Sequence, residues 1–294
     1  MSHALVIPQP SCFSFEQCRH QLDRGHQDCL YQVDASTVTR WVHWPDGTHA
    51  LIRLSAADDL LQIGVLTRTG ADDQAITAYV RNWFDLDRDL QPFYQQLGED
   101  PDLAFLAHQY WGLRLVGIPD LYEALCWAVI GQQINLTFAH TLKRRLTTRW
   151  GLSLTWAGET YYQFPAPEII AAITHGELLE MQFSRQKAEY LIHIAGLFAA
   201  GALGTDVFAG MDESAIYARL TAIRGIGVWS ARYAMMKSLR TPDSIPLGDT
   251  GLSRALHLYK GWDKKPPYDQ ITAYFGQYTG WKSYLVYYLW RSLS

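Results

Sequence analysis

The residue with the clearest chemical potential is a carboxylate, Asp249, at the start of a predicted helix. It follows Pro246-Leu247-Gly248 and precedes the helical pattern TGLSRALHLY. An aspartate there commonly caps a helix, because its side chain accepts hydrogen bonds from the free N–H groups of the first turn. A carboxylate fixed in this way can also stabilise positive charge that develops in a transition state. The local sequence leaves both roles open.

Aromatic residues precede this carboxylate by about twenty positions, at a helical spacing. Trp229 and Tyr233 stand at i and i+4, so both rings lie on one face of a helix. Such rings attract a flat cationic ligand through their π-faces, but the same spacing is typical of an aromatic core stripe. A second aromatic stretch, GWKSYLVYYLW, begins near Trp281.

A short glycine turn, Gly225-Ile226-Gly227, separates two segments with helical periodicity. Its N–H groups, with those that open the second helix, can form a cup for an anion such as a phosphate. A plain helix C-cap and turn is one alternative. A dinucleotide-binding loop is another, but Ser230 replaces the third glycine of that motif and the preceding segment has a helical period.

The pattern along the chain predicts an α+β protein with two domains. Residues 28–67 read as meandering strands, and a helix capped by Asp72 or Asp73 follows over residues 75–84. We therefore expect a small N-terminal antiparallel sheet domain with helices over residues 1–90. An all-α domain is expected over residues 91–294. In that domain one long helix is predicted from Leu121 to Arg149, with Gln132 and Gln133 in its middle.

Composition excludes several protein classes. The 294 residues are 48% hydrophobic and 18% charged, as in folded globular proteins, and the longest apolar stretch is too short to cross a bilayer. The net charge of −4 divides into −8 over residues 1–113 and +4 over residues 114–294, so the C-terminal part can attract nucleic acid. The four cysteines lack CxxC spacing and the histidines lack metal-ligand spacing. We expect no metal, no cofactor, no membrane contact and a reduced, cytoplasmic setting.

Three motifs resemble the helix-hairpin-helix DNA glycosylase superfamily (HhH-GPD), and within it the AlkA type, 3-methyladenine DNA glycosylase II. They are LTAIRGIGVWSARYAMM, IPLGDTGLSRAL and GWKSYLVYYLW. The resemblance covers roughly Leu121 to Leu293. It implies a monomer that binds double-stranded DNA with alkylated bases at the nucleoid, turns a nucleotide out of the stack and removes its base.

The resemblance also implies roles for individual residues. Gln133 matches the position whose side chain fills the gap left by the extruded nucleotide, although AlkA relatives place leucine there. Thr250 stands where some relatives have a tyrosine. The implied site residues are Asp249 for catalysis; Trp229, Tyr233 and Trp281 for the base pocket; and Gln133, Gly225, Ile226, Gly227 and Ser230 for DNA binding.

The resemblance further predicts the type of reaction. Superfamily members that form a Schiff base carry lysine two residues after the second hairpin glycine, and this chain has Trp229 there. No cysteine follows Cys126, so the four-cysteine iron–sulfur loop of some members cannot form. The expected function is hydrolytic excision of alkylated purines of the 3-methyladenine type in base excision repair. The alternatives are a non-enzymatic DNA-binding protein and a glycosylase/lyase for oxidised bases.

Overall fold

The computed structural model describes residues 3–23, 25 and 28–293, and it shows the expected α+β organisation. An N-terminal five-stranded sheet precedes a mainly helical part. The strands are β1 (His3–Pro8), β2 (Tyr31–Val33), β3 (Val38–His43), β4 (His49–Ala57), β5 (Leu60–Thr69), β6 (Ser153–Trp156) and β7 (Glu159–Tyr162).

Helices make up most of the remaining chain. The fourteen α-helices among the described residues are α1 (Phe15–Leu22), α2 (Asp73–Trp83), α3 (Gln91–Gly98), α4 (Ala104–Gln109), α5 (Leu121–Ile130), α6 (Leu136–Trp150), α7 (Pro167–Ala172), α8 (His175–Glu180), α9 (Arg185–Ala199), α10 (Glu213–Thr221), α11 (Val228–Lys237), α12 (Thr250–Lys260), α13 (Tyr268–Phe275) and α14 (Lys282–Arg291). Within the described part of the chain, none is long and apolar enough to cross a membrane.

The N-terminal sheet is antiparallel throughout, with strand order β1-β5-β4-β3-β2. Alternate residues of β5, among them Leu61 and Ile63, are buried, as expected for a sheet with one covered face. Helix α2 packs its buried residues into the same core. Asp72 caps α2 by accepting a hydrogen bond from the Ala75 N–H at 2.7 Å, which confirms one of the two predicted caps.

The predicted helix over residues 121–149 is wrong, because the structure breaks it into α5 and α6. The interruption contains Gln132 and Gln133, and Gln133 adopts a left-handed φ of 56°. Asn135 then caps α6 by accepting a hydrogen bond from the Phe138 N–H at 2.8 Å. The apolar period continues on both sides of the break, so periodicity alone merged two helices, although the glycine at 131 and the asparagine cap marked the boundary.

The helical part also contains a β-hairpin, β6–β7, that the sequence analysis missed. Its two-residue turn, Ala157-Gly158, has positive φ at both positions, the geometry that matches the twist of paired strands. Tyr161 of β7 packs with Trp41 and Leu51 of the N-terminal sheet in a small separate cluster. The hairpin therefore covers part of the outer face of that sheet.

Two large hydrophobic cores organise the molecule. The first joins the inner face of the sheet and α1–α4 to residues of α12, α13 and α14, and the second is built from α5 to α11. Elements from the end of the chain thus complete the core that the beginning of the chain starts. The domain boundary expected between residues 90 and 91 stays a prediction.

The break between α5 and α6 generates a stability prediction. Asn135→Ala removes the side-chain cap of α6 and should cost about 1 kcal/mol of stability, which lowers the melting temperature by about 2 °C in a chain of this size. Asn135→Ser, which keeps a capping oxygen, is the control and should melt within experimental error of the unsubstituted protein. Equal melting temperatures for the alanine variant and the unsubstituted protein would contradict the cap.

Candidate active site

Asp249 lies at the N-terminus of α12, where its carboxylate accepts three hydrogen bonds. The Leu252 N–H donates to Oδ1 at 2.6 Å, so the expected helix cap is present. The indole N–H of Trp290 donates to the same oxygen at 2.7 Å, and that of Trp229 donates to Oδ2 at 2.8 Å. A cap needs only the first of these bonds. The two indoles fix both carboxylate oxygens in one orientation, which a purely structural cap does not require.

Three aromatic rings form a continuous wall beside this carboxylate. Trp229 and Tyr233 of α11 are stacked, with their ring centroids 5.1 Å apart and an interplanar angle of 20°. Tyr233 also contacts Trp290 of α14 at 6.1 Å. All three rings line the same cleft as Asp249. Trp229 and Tyr233 thus lie together at the cleft, as expected from their helical spacing.

The structure does not bring Trp281 to this wall. Trp281 precedes α14 and packs against Phe93 and Tyr284, with the Arg88 guanidinium 5.9 Å from its ring centroid. It is not among the residues that line the cleft. Trp290, at the other end of the same aromatic motif, takes the place that Trp281 was expected to have. Because both tryptophans belong to the same aromatic motif, with Trp281 directly before α14 and Trp290 near its end, the sequence motif could not distinguish them.

The glycine turn between α10 and α11 has the conformation that the sequence predicts. Gly225 has a φ of 97°, and a β-carbon there would lie 2.4 Å from Cγ of Tyr190. Backbone freedom and close packing therefore both require glycine at this position. Gly227 differs, since its φ is −89° and no atom lies within 4 Å of a β-carbon built on it.

The other two predicted hairpin residues, Ile226 and Ser230, are buried. The Ile226 side chain is buried in the second core, and its N–H donates to the Ile223 carbonyl at 3.0 Å. Ser230 is 2% exposed and accepts a hydrogen bond from Gln132 through Oγ. Gly227 is the N-cap residue of α11, and no side chain caps this helix end. The first-turn N–H groups of α11 are therefore placed for an external anion, whereas Ile226 and Ser230 support the turn from within.

The loop between α5 and α6 is attached to the hairpin. Gln132 Nε2 donates to the Gly225 carbonyl at 2.9 Å and to Ser230 Oγ at 3.2 Å. Buried Lys187 donates to the carbonyl of Ile130, at the end of α5, at 2.7 Å. Burial lowers the pKa of this lysine. Gln133 is exposed and lines both the hairpin groove and the Asp249 cleft.

The cleft that contains Asp249 has a volume of about 1080 Å³ and extends between the two parts of the molecule. Asp249 and its aromatic wall lie on the helical side. Residues of the N-terminal part, including Asp28 and Arg40, also line it, together with Glu123 and Lys143 of α5 and α6. No local sequence pattern indicated that these four residues meet, because each is unremarkable in its local context.

Comparison with known proteins identifies the family. The model of the HhH-GPD superfamily of base excision DNA repair proteins matches residues 126–279, which is more than half of the chain and includes the hairpin and Asp249. The chain belongs to this superfamily. A second model, the N-terminal domain of 8-oxoguanine DNA glycosylase, matches residues 16–125.

Curated relatives of this HhH-GPD protein carry consistent names. It is 35% identical over 298 residues to a DNA-3-methyladenine glycosylase of Bacillus subtilis, across 100% of this chain and 98% of the relative. DNA-3-methyladenine glycosylase 2 of Escherichia coli is 28% identical over 61% of this chain and 60% of its own length. The match to the first relative is therefore an end-to-end one.

Solved structures show the same fold as this HhH-GPD protein. A 3-methyladenine DNA-glycosylase from Archaeoglobus fulgidus superposes with a TM-score of 0.81 at 20% identity, over 97% of both chains. The 3-methyladenine DNA glycosylase Mag1 of Schizosaccharomyces pombe, in complex with abasic DNA, has a TM-score of 0.56 at 23% identity, over 68% of this chain and 96% of that one. A structure that shares part of this fold has thus been solved in complex with DNA.

The hairpin geometry generates a DNA-binding prediction. Gly227→Asp places a good helix-capping residue at a position with free space, so the fold should remain intact. Its negative charge should repel the phosphate backbone and weaken duplex affinity by at least about tenfold, equally for all sequences. Gly227→Asn is the matched uncharged control and should bind more tightly than the aspartate variant. Affinities are measured by fluorescence anisotropy, beside melting temperatures. An aspartate variant that binds as well as the unsubstituted protein would remove the hairpin from the interface.

Proposed function

We propose that this protein is a monofunctional DNA glycosylase that turns an alkylated purine nucleotide out of duplex DNA and hydrolyses its glycosidic bond, in base excision repair. The observation that carries this proposal is Asp249, fixed by Trp229 and Trp290 inside an aromatic cleft. The hairpin that a duplex can grip lies beside that cleft. Family membership supplies the repair context.

The proposed reaction breaks the bond between C1′ of deoxyribose and the ring nitrogen of the base. The bonding electrons leave with the base, and the sugar develops an oxocarbenium-like positive charge. The Asp249 carboxylate, whose oxygens cannot turn away from the site, stabilises this charge. The oxygen of a water molecule then bonds to C1′, and the proton that this water loses passes to solvent. The DNA product is an abasic site.

The aromatic wall is suited to hold the departing base. An alkylated purine with a positive charge stacks favourably on electron-rich rings such as Trp229, Tyr233 and Trp290. Gln133, at the margin of the cleft, is proposed to fill the space that the nucleotide leaves in the duplex. The hairpin, through Gly225 and Gly227, is proposed to hold a phosphate without reading sequence.

The environment of the cleft lysines favours hydrolysis over Schiff-base chemistry. Among the described residues that line the cleft, the lysines are Lys143 and Lys237. Lys143 is buried in two ion pairs, and Lys237 donates to the Val116 carbonyl and lies over the Tyr287 ring. Both amines are therefore engaged in other contacts, which does not favour their attack on C1′ beside Asp249. Oxidised-base glycosylase/lyase activity is therefore the weaker candidate.

A non-enzymatic DNA-binding role is the other alternative. A pure binding module needs the hairpin but has no use for a carboxylate fixed by two indoles in a cleft. The enzymatic proposal is thus the one that accounts for both features. We further propose that the protein acts as a monomer on DNA at the nucleoid, in the cytoplasm.

The decisive experiment incubates the protein with duplex DNA treated with dimethyl sulfate and scores released bases separately from strand cuts. We expect free alkylated purines, intact abasic strands, and no covalent adduct after borohydride treatment. Asp249→Asn keeps the helix cap but removes the charge, so single-turnover base release should fall on the order of a hundredfold to a thousandfold. Its duplex affinity should be retained. An active asparagine variant would reduce Asp249 to a cap, and a borohydride-trapped adduct would reject the hydrolase assignment.

The indole contacts give a second kinetic prediction. Trp290→Phe keeps an aromatic ring but removes one N–H donor to Asp249, so single-turnover base release should fall by about tenfold, in line with the loss of one hydrogen bond to a charged group. Trp281→Phe is the control, since its ring packs outside the cleft, and it should leave the rate within about twofold. A larger loss of rate in Trp281→Phe than in Trp290→Phe would instead indicate that Trp281 lines the base pocket.

A further inference from the structure

The deep end of the cleft is lined by two carboxylates and two cations, which we call the ionic floor: Asp28, Arg40, Glu123 and Lys143. Lys143 Nζ lies 2.9 Å from Asp28 Oδ2 and 2.9 Å from Glu123 Oε1. Arg40 donates to Glu123 Oε2 at 3.2 Å. Each side chain is at most 8% exposed, yet all four line the cleft that contains Asp249.

Three members of the ionic floor, Asp28, Lys143 and Arg40, are held in their charged forms. Burial alone disfavours the ionised forms of Asp28 and Lys143. The mutual attraction of the pair outweighs that effect, so the pKa of Asp28 is lowered and the pKa of Lys143 is raised. The pKa of Arg40 is likewise raised against the effect of burial, by Tyr79 and Glu123. These three side chains therefore act as fixed charges, and Glu123 lies within ion-pair distance of Arg40 and Lys143.

Continuous side-chain contacts connect the floor to Asp249. Trp229, which donates to Asp249, stacks on Tyr233. Tyr233 and Trp127 belong to the same hydrophobic cluster, and both line the cleft. The Trp127 ring lies beneath Lys143, with Nζ 5.5 Å from its centroid, and against His140 at 4.6 Å. A base whose sugar lies at Asp249 and whose ring follows this wall points its far edge toward the floor.

We propose that the ionic floor is part of the base pocket and sets its selectivity between cationic and neutral purines, so that the N-terminal domain takes part in substrate choice through Asp28 and Arg40. This proposal rests on the proposed glycosylase function. In the intact floor two carboxylates balance two cations, and this balance admits a cationic N-alkylated purine. A change of one charge there acts strongly on a cationic base and weakly on a neutral one, because the site is shielded from water.

A purely structural role is the competing explanation, since the floor also joins the two parts of the chain. The same fold contains a comparable buried ionic cluster away from the cleft. Asp100, 6% exposed, accepts a hydrogen bond from the Tyr278 hydroxyl at 3.1 Å and pairs with Lys260 at 3.4 Å, but it does not line the cleft. Asp100→Asn therefore reproduces the loss of one buried carboxylate charge without touching the pocket.

The experiment uses variants of the full chain that change the charge of the ionic floor in opposite directions. Asp28→Asn and Glu123→Gln each remove one negative charge from the floor, and Lys143→Gln removes one positive charge. Two single-turnover rates are measured at saturating enzyme: release of cationic 3-methyladenine from dimethyl sulfate-treated duplex DNA, and release of neutral hypoxanthine from a duplex oligonucleotide. Each rate is divided by the rate of spontaneous base release from the same DNA without protein. Melting temperatures are recorded for every variant and for Asp100→Asn.

The ratio of 3-methyladenine to hypoxanthine release is the readout. We expect Asp28→Asn and Glu123→Gln to lower it by on the order of tenfold, Lys143→Gln to raise it, and Asp100→Asn to leave it unchanged. If Lys143→Gln does not fold, the two carboxylate variants and their control decide the question. A constant ratio in active floor variants overturns the proposal, because loss of structure alone slows both reactions together. Absence of both products from the unsubstituted protein would instead refute the glycosylase function itself.

Discussion

The site depends on keeping a carboxylate in one orientation beside apolar rings. Asp249 achieves this with N–H donors from three places: the first turn of its own helix, Trp229 on α11 and Trp290 on α14. A carboxylate in an aromatic setting is costly unless its oxygens are hydrogen-bonded. The hydrogen bonds from these donors offset that cost. They also require α11, α12 and α14 to stand at fixed distances from one another. The geometry of the catalytic proposal is thus a consequence of how those helices pack.

The cleft exists because the molecule has two hydrophobic cores. Helix α11 belongs mainly to the second core, whereas α12 and α14 belong to the first. Asp249 therefore lies where the two cores meet, and the surface between them opens into the cleft. The ionic floor closes the deep end of the same boundary with Asp28 and Lys143, which are 115 residues apart in sequence. The boundary between the two cores therefore contains both Asp249 and the cleft around it.

Local signals predicted much of this arrangement and failed where contacts are distant in sequence. The glycine turn, the cap at Asp249 and the Trp229–Tyr233 face follow from backbone preferences and helical spacing, which are short-range properties. The pocket wall at Trp290 was not predicted, because an aromatic helix end has no local feature that distinguishes a pocket wall from core packing. The break at Gln133 was hidden by an apolar period that continues across it. The ionic floor has no sequence signature at all, since its partners meet only after folding.

The shared first core has a consequence for the order in which this molecule can mature. Its sheet is made early in synthesis, but α14, which carries Trp290 and several buried tyrosines of that core, is made after all the other elements described above. Domains generally fold as units as they leave the ribosome. Here the N-terminal part cannot finish its core, and Asp249 cannot receive its second indole donor, until α14 has been synthesised. A nascent chain can therefore form the turn between α10 and α11 before the surroundings of Asp249 are complete, so their assembly is tied to the synthesis of α14.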